Sequence, residues 1–252
     1  MKYAIYIAIV FSFISTCFAN DEATNLVTME KNWNAIVLQY VHSGNTENIK
    51  TTLVNYKDLK TDKKFKQLIS SLRNFDITKL HSKEEKLSFW INSYNIAAIK
   101  LITENYGVNS IKDIGSLFSP VWKKEAIIIG QKSYSLNDIE HEILRKLGDP
   151  RMHFAIVCAS LSCPDLKPYA YATSKIDEQL ELSSKAFLQN NGKGLVFSRD
   201  SKVIYVSKIL KWFEDDFDKN GGVKSFISKH VDKDVSNFEI RYLDYNWGLN
   251  AK

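Results

Sequence analysis

Apolar residues recur at helical spacing from residue 22 to about residue 80: Leu38, Tyr40 and Val41, then Ile49, Leu53 and Tyr56, then Phe65, Leu68, Ile69 and Leu72. This spacing predicts two or three amphipathic helices joined by polar connections. Lys60, Lys63, Lys64 and Lys66 fall on the polar side of that pattern and read as a solvated face. Residues 83–104 carry the strongest helical signal. Leu87, Phe89, Trp90, Ile91, Tyr94, Ile96 and the apolar positions up to Ile102 make this helix apolar nearly all round, which predicts a central position. Two amides, Asn92 and Asn95, interrupt it one turn apart. A buried Asn must find hydrogen-bond partners, so these two either pin a neighbouring segment or face a site.

The second half alternates between the two periods. Val121-Trp122 and Ala126 to Gly130 predict a short buried strand ending in a turn. Ser135 is placed to cap a helix, with Asp138 three residues on favouring its positive end. Leu136, Ile139, Ile143, Leu144 and Leu147 form its buried stripe, and Gly148 with Pro150 ends it. Met152 to Ala159 is apolar on both faces, the pattern of an interior strand. Thr173 to Gln189 predicts a helix. Leu195 to Ser198 and Val203 to Val206 predict a hairpin turning at Arg199-Asp200-Ser201-Lys202. Ile209 to Phe217 and Val223 to His230 predict helices. In the first of these, Trp212, Phe213 and Phe217 are expected in the core, and Asp215 and Asp216 in solvent. Ile240 to Leu249 predicts an extended tail with Tyr245 and Trp247 on one face. The mixture predicts a single-domain α+β fold. A helical N-terminal region, residues 20–80, is expected to pack on a small mixed or antiparallel sheet carried by residues 81–250.

The N-terminus adds a location. Lys2, the apolar run from Tyr3 to Phe13, and the small residues before Ala19 predict a signal peptide over residues 1–19, and therefore an exported protein, periplasmic or secreted. The apolar run is too short for a stable membrane span. Cys17 falls within the segment removed, which leaves Cys158 and Cys163 as the two cysteines of the exported chain. The net charge of +5, from 34 basic and 29 acidic residues, is small and well mixed, which argues against nucleic acid as a partner. An oxidising compartment allows a close cysteine pair to persist as a disulfide.

The chemistry concentrates in the run from Asp149 to Pro164, where His153 stands five residues before Cys158 and Cys163 five residues after it. One reading is a thiol-dependent hydrolase or acyl transferase. Cys158 or Cys163 is then the nucleophile, His153 or His141 the base, and Asn92, Asn95, Glu140 or Asp149 the orienting group. On a regular strand, His153 and Cys158 face opposite sides about 16 Å apart, so a direct pair is excluded there. Position favours Cys163, in the loop past the strand, as the nucleophile, and Cys158 as a structural thiol. A second reading is a non-enzymatic binding module shaped by a Cys158–Cys163 disulfide, which requires a sharp turn within four residues. A metal site from His141, His153, Cys158 and Cys163 lacks zinc-ligand spacing, so no metal or cofactor is predicted. Arg151 beside Asp149 reads as an ion pair, or as a fork for a ligand carboxylate. The expected ligand is a small molecule or peptide that the sequence does not identify.

Several stretches together resemble the DUF547 family, a domain of unknown function. They are Phe89-Trp90-Ile91-Asn92-Ser93-Tyr94-Asn95, Tyr134-Ser135-Leu136-Asn137-Asp138-Ile139-Glu140-His141, Leu144-Arg145, the Asp149 to Pro164 run, Leu210 to Phe217, and the tail from Leu243 to Asn250. The resemblance spans roughly residues 80–250 and departs at Asn246, where the family's tail pattern carries Asp. It implies a domain and no particular reaction. The Cys and His residues alone also resemble those of papain-like cysteine hydrolases.

Overall fold

The computed structural model describes residues 25–199 and 202–252. The expected signal peptide lies outside the described residues, as do Asp200 and Ser201 of the expected turn. Asn25 opens α1 (Leu26–Tyr40) by accepting the Thr28 N–H, and the helix buries Met29, Trp33, Ile36, Val37 and Tyr40. The all-helical region expected up to residue 80 then breaks. β1 (Val41–Thr46) and β2 (Ile49–Val54) form an antiparallel hairpin with Val41 opposite Val54. Glu47 and Asn48 both hold φ near +50 to +60°, which a two-residue turn matched to strand twist requires. The β-branched residues Val41, Thr46, Ile49, Thr51, Thr52 and Val54, with Gly44 among them, disfavour helix and overrode the weak helical spacing.

The short α2 (Tyr56–Leu59) and the Asp62-capped α3 (Lys63–Leu72) restore helical structure. α4 (Lys83–Glu104) agrees with the sequence expectation almost to the residue. Ser82 and Glu85 form a reciprocal capping box at its start, and its residues from Leu87 to Ile99 are all buried. It is the axis of the larger of two hydrophobic cores.

Val121–Lys123 is a 3-10 turn, and β3 begins only at Glu125. β3 (Glu125–Ile129) pairs antiparallel with β4 (Lys132–Ser135), so Ser135, expected as a helix cap, also ends a strand. Ser135 and Asp138 do cap each other reciprocally, but the turns they open are wound with π-type bonds over Asp138–Leu144, ending at a left-handed Gly148.

The interior strand expected over Met152 to Ala159 is absent. Asp149 caps a 3-10 turn, Pro150–Phe154, by accepting the Arg151 N–H, and residues 155–159 follow as buried irregular chain. A short apolar run does not distinguish a buried strand from other buried backbone by periodicity. Here Pro150 at the start of the turn and the Asp149 cap decided the local conformation. This turn joins the two cores: Met152 packs in the larger, Phe154 in the smaller.

The smaller core lies between α5 (Ile176–Leu188), α8 (Gly222–Val231) and a three-stranded sheet. In that sheet β5 (Leu195–Phe197) pairs antiparallel with β6 (Val203–Val206), which pairs parallel with β7 (Glu239–Tyr242). The single helix expected over Ile209 to Phe217 is broken at Phe213 into α6 (Ile209–Trp212) and α7 (Glu214–Phe217). The whole is a single-domain α+β fold of many helices and small sheets. Among the described residues no helix is long and apolar enough to cross a membrane.

Candidate active site

α4 positions the thiol segment through its two amides. Asn95 donates from Nδ2 to the Ala155 carbonyl at 3.0 Å and accepts the Val157 N–H on Oδ1 at 2.9 Å. Asn92 clamps Tyr171 in the same two-handed way, at 2.7 and 3.0 Å. Both amides are buried and spend their bonds on backbone that lies outside regular structure. They hold segments in place and do not line the cleft described next.

Past Val157 the chain bends at Ala159, whose φ of +61° is left-handed and rare for a residue with a Cβ. The C-terminal tail runs alongside this bend. Leu161 and Ser162 donate to the Gly248 and Asn246 carbonyls, and Asn250 donates to that of Ala159. The tail thereby brings Tyr245 and Trp247 to the cysteines. Cys158 Sγ lies 2.9 Å from Cys163 Sγ, 3.1 Å from Ser160 Oγ and 3.4 Å from the Tyr245 hydroxyl. The Cys158 N–H also donates to Cys163 Sγ at 2.8 Å. Both cysteines are buried thiols, and no disulfide joins them. The hydrogen bond with Cys163 is the largest influence on Cys158. It outweighs burial and brings the Cys158 thiol down to about 6. Burial pushes the Cys163 thiol up. Of the two, Cys158 is the more acidic thiol.

The sulfurs open into a cleft of about 400 Å³. Tyr94, Glu140, His141 and His153 reach it from the polar side of the chemistry, and Trp122, Trp212, Phe213, Tyr245 and Trp247 supply aromatic walls. The π-type winding after Asp138 presents the consecutive residues Glu140 and His141 to this one cavity. Burial raises the Glu140 carboxyl to about 7, and the nearby Cys158 adds to the rise. Tyr94 donates its hydroxyl to Glu140 Oε2 at 3.3 Å.

His153 stacks on Phe213 with ring centres 4.0 Å apart, and its Nε2 lies 2.7 Å from Asp216 Oδ2. Arg145 grips the same carboxylate with two bonds, at 2.7 and 2.8 Å. Burial opposes ionisation of Asp216, but the bonds from His153 and Arg145 prevail and hold it well below the usual carboxylate range. An ionised carboxylate only accepts, so Nε2 carries the imidazole proton. Nδ1 is left as a lone pair 3.9 Å from Glu140 Oε1. Burial keeps His153 below its ordinary value, so this imidazole is neutral near pH 7. His141 accepts from Arg145 on Nδ1 at 2.9 Å and is likewise lowered by burial.

The cleft thus gathers Cys158, Cys163, His153, His141 and Glu140 from the sequence-based candidates. Asp149 and Arg151 form their expected ion pair at 2.8 Å and face a separate cavity, where Arg151 also meets Asp177 at 2.7 Å. The strand-based separation of His153 from Cys158 falls with the strand itself, as does the argument that ranked Cys163 first. Asp216, expected in solvent, sits under His153. Trp212 and Phe213, expected in the core, line the cleft. Tyr94, Trp122 and Tyr245 were also missed as site residues. Among the described residues no group of three or more His, Cys, Asp or Glu side chains is arranged to hold a metal ion.

No curated protein and no solved structure matches the chain. Residues 77–188 match the family model described as a protein of unknown function, DUF547. That segment includes both amides of α4, Glu140, His153 and the two cysteines, whereas Asp216, Tyr245 and Trp247 lie beyond it. Over residues 77–188, then, the chain is similar to DUF547 domains.

Proposed function

We propose that this protein is a thiol-dependent hydrolase or acyl transferase with Cys158 as its nucleophile. The observation that carries this reading is the convergence in one cleft of a sulfur with three polar neighbours, a buried carboxyl and a histidine held by an Arg-supported carboxylate. A thiolate stabilised by hydrogen bonds needs no histidine in direct contact to be formed. Its attack on an acyl carbonyl forms the C–S bond and opens the C=O to an oxyanion. Collapse expels the leaving group, which takes the proton of the Glu140 carboxyl. A value near 7 leaves about half of that carboxyl protonated at neutral pH, the range in which an acid also serves as a base. In the second half, water or an acceptor alcohol or amine attacks the thioester and gives its proton to Glu140, and Cys158 leaves as thiolate. His153, with its Nδ1 lone pair facing Glu140, is the neighbouring proton acceptor.

The test is incubation with p-nitrophenyl acetate, followed by intact-mass and peptide mass spectrometry. An acetyl adduct on Cys158, absent in Cys158→Ala, supports the reading. No adduct, or one confined to Cys163, refutes it.

A second reading has its own observation. Sulfurs 2.9 Å apart need little movement to bond, which favours a disulfide-shaped binding module. Failure of acylation together with a bridge that persists in the native protein would select it. The N-terminal pattern further supports export to the periplasm or exterior, where such a bridge is stable. N-terminal sequencing of protein recovered from outside the cytoplasm tests this, with cleavage after Ala19 as the expected result.

A further inference from the structure

The most exposed large apolar side chains of the described residues are neighbours. Leu117 is 89% exposed and Phe118 95%. They form the tip of a tight turn in which Ser116 and Ser119 exchange backbone hydrogen bonds at 3.0 and 3.2 Å, and the Ser116 hydroxyl accepts the Ser119 N–H as well. The base of the loop is closed. Lys124 donates to the Ile114 carbonyl at 2.9 Å, and a Cβ at Gly115 would stand 2.5 Å from the Val121 nitrogen. This is a built projection that holds two apolar side chains clear of the protein.

Its surroundings have the character of a membrane interface. Lys112 and Lys123 are exposed on either side of the tip. Asp113, the acid nearest in sequence, spends a carboxylate oxygen on the Asn109 and Ser110 N–H groups. Behind the loop runs a row of indoles. Trp122 meets Trp247 edge-on at 5.6 Å, and Trp247 stacks on Trp212 at 5.8 Å. Trp212 is 46% exposed, and Lys112 Nζ sits 4.9 Å over the Trp247 ring. Indoles collect at the headgroup level of bilayers, and lysines beside them are drawn to anionic lipid. All three indoles line the thiol cleft, and Trp122 follows the tip by four residues in the chain.

We propose that the Leu117–Phe118 tip docks this protein on an anionic phospholipid surface, with the mouth of the cleft turned toward the lipid. A second protein chain fits the feature less well. Two side chains on a narrow turn fall far short of the roughly 800 Å² per partner of a stable protein interface, whereas a bilayer accepts a wedge of that size. The docking surface stands independently of the thiol chemistry. If both hold, the substrate is an acylated molecule presented at the membrane.

The test is co-sedimentation of the full chain with vesicles of equimolar phosphatidylglycerol and phosphatidylcholine, and with vesicles of phosphatidylcholine alone. The double variant Leu117→Ser/Phe118→Ser is run in parallel, with size-exclusion chromatography of both proteins. The N-terminal segment is common to both, so their difference reports the tip. Expected is binding that prefers the anionic vesicles, weakens with added salt, and falls by about tenfold or more in the variant. Equal sedimentation of the two proteins overturns the proposal. So does a wild-type dimer that the double variant converts to monomer without any vesicle binding, which would assign the tip to a second copy of the chain. Acylation of Cys158 in solution is read separately, so failure of either idea leaves the other standing.

Discussion

Replacing Cys163 by alanine removes the thiol whose hydrogen bond with Cys158, at 2.9 Å, is the largest influence holding the Cys158 thiol at about 6. At pH 7 a thiol at about 6 is roughly nine-tenths thiolate, and one at the ordinary value of about 8.5 is roughly 3% thiolate. The thiolate population could therefore fall by up to about thirtyfold. The Ser160 and Tyr245 hydroxyls remain beside the sulfur, so the expected loss lies between about threefold and that limit. The rate at a single pH is a poor readout, because a more basic thiolate is intrinsically more nucleophilic. With a Brønsted slope of about 0.4–0.5, a rise of 2.5 units returns roughly tenfold of what the population loses.

The pH midpoint is not subject to that compensation. Site-resolved alkylation of Cys158 by iodoacetamide, followed from about pH 4.5 to pH 10, should show a midpoint near 6 in the wild type. It should rise by more than about one unit in Cys163→Ala, with Cys163→Ser in between because its hydroxyl still donates. The same shift has a thermodynamic face. A thiol depressed in the folded state contributes stability that is present above its unfolded value and lost as pH falls through about 6. The alanine variant should lose less stability than the wild type between pH 9 and pH 5. A midpoint that stays near 6 in Cys163→Ala would refute the reasoning, as would alkylation of Cys163 ahead of Cys158 in the wild type.

Asn95→Ala leaves the Ala155 carbonyl and the Val157 N–H unpaired in the core, at a cost of about 1–3 kcal/mol each. Urea unfolding should lose about 2–6 kcal/mol, and a loss below about 1 kcal/mol would mean that residues 155–157 find other partners. Glu140 is raised in the folded state, so its contribution is fully present below about 4.3 and is lost as pH rises through about 7. Glu140→Gln should remove a fall on the order of 3 kcal/mol at most between pH 4 and pH 8, and parallel stability profiles for the two proteins would contradict this. Hydrogen peroxide should convert Cys158 to a sulfenic acid that the Cys163 thiol displaces, releasing water and forming the disulfide. Site-resolved titration would then lose both the Cys158 and the Cys163 thiol, with a mass loss of two hydrogens; accumulation of sulfinic acid would show that the sulfurs do not meet.

The sequence disclosed what is local. α4 was legible because its apolar surface, its Ser82–Glu85 box and its length all agree. Cys158, Cys163, His153, His141 and Glu140 were legible as candidates because their chemistry is unusual wherever they stand. Asp216, Tyr245 and Trp247 were not. They reach the cleft across more than 60 residues of intervening chain, and nothing in their own neighbourhoods marks them off from a solvent acid or a packed aromatic. The misread run from Met152 to Ala159 is more instructive, because two anomalies in the sequence answered each other. Asn92 and Asn95 lie in an apolar helix and need partners that the helix cannot supply. An interior strand would satisfy its backbone within a sheet and leave those amides unpaired. A buried segment without a ladder has the opposite deficit, and Asn95 meets it at both the Ala155 carbonyl and the Val157 N–H. The helix carboxamide replaces the strand neighbour, and the chain is then free to bend at Ala159 and turn the Cys158 sulfur into the cleft.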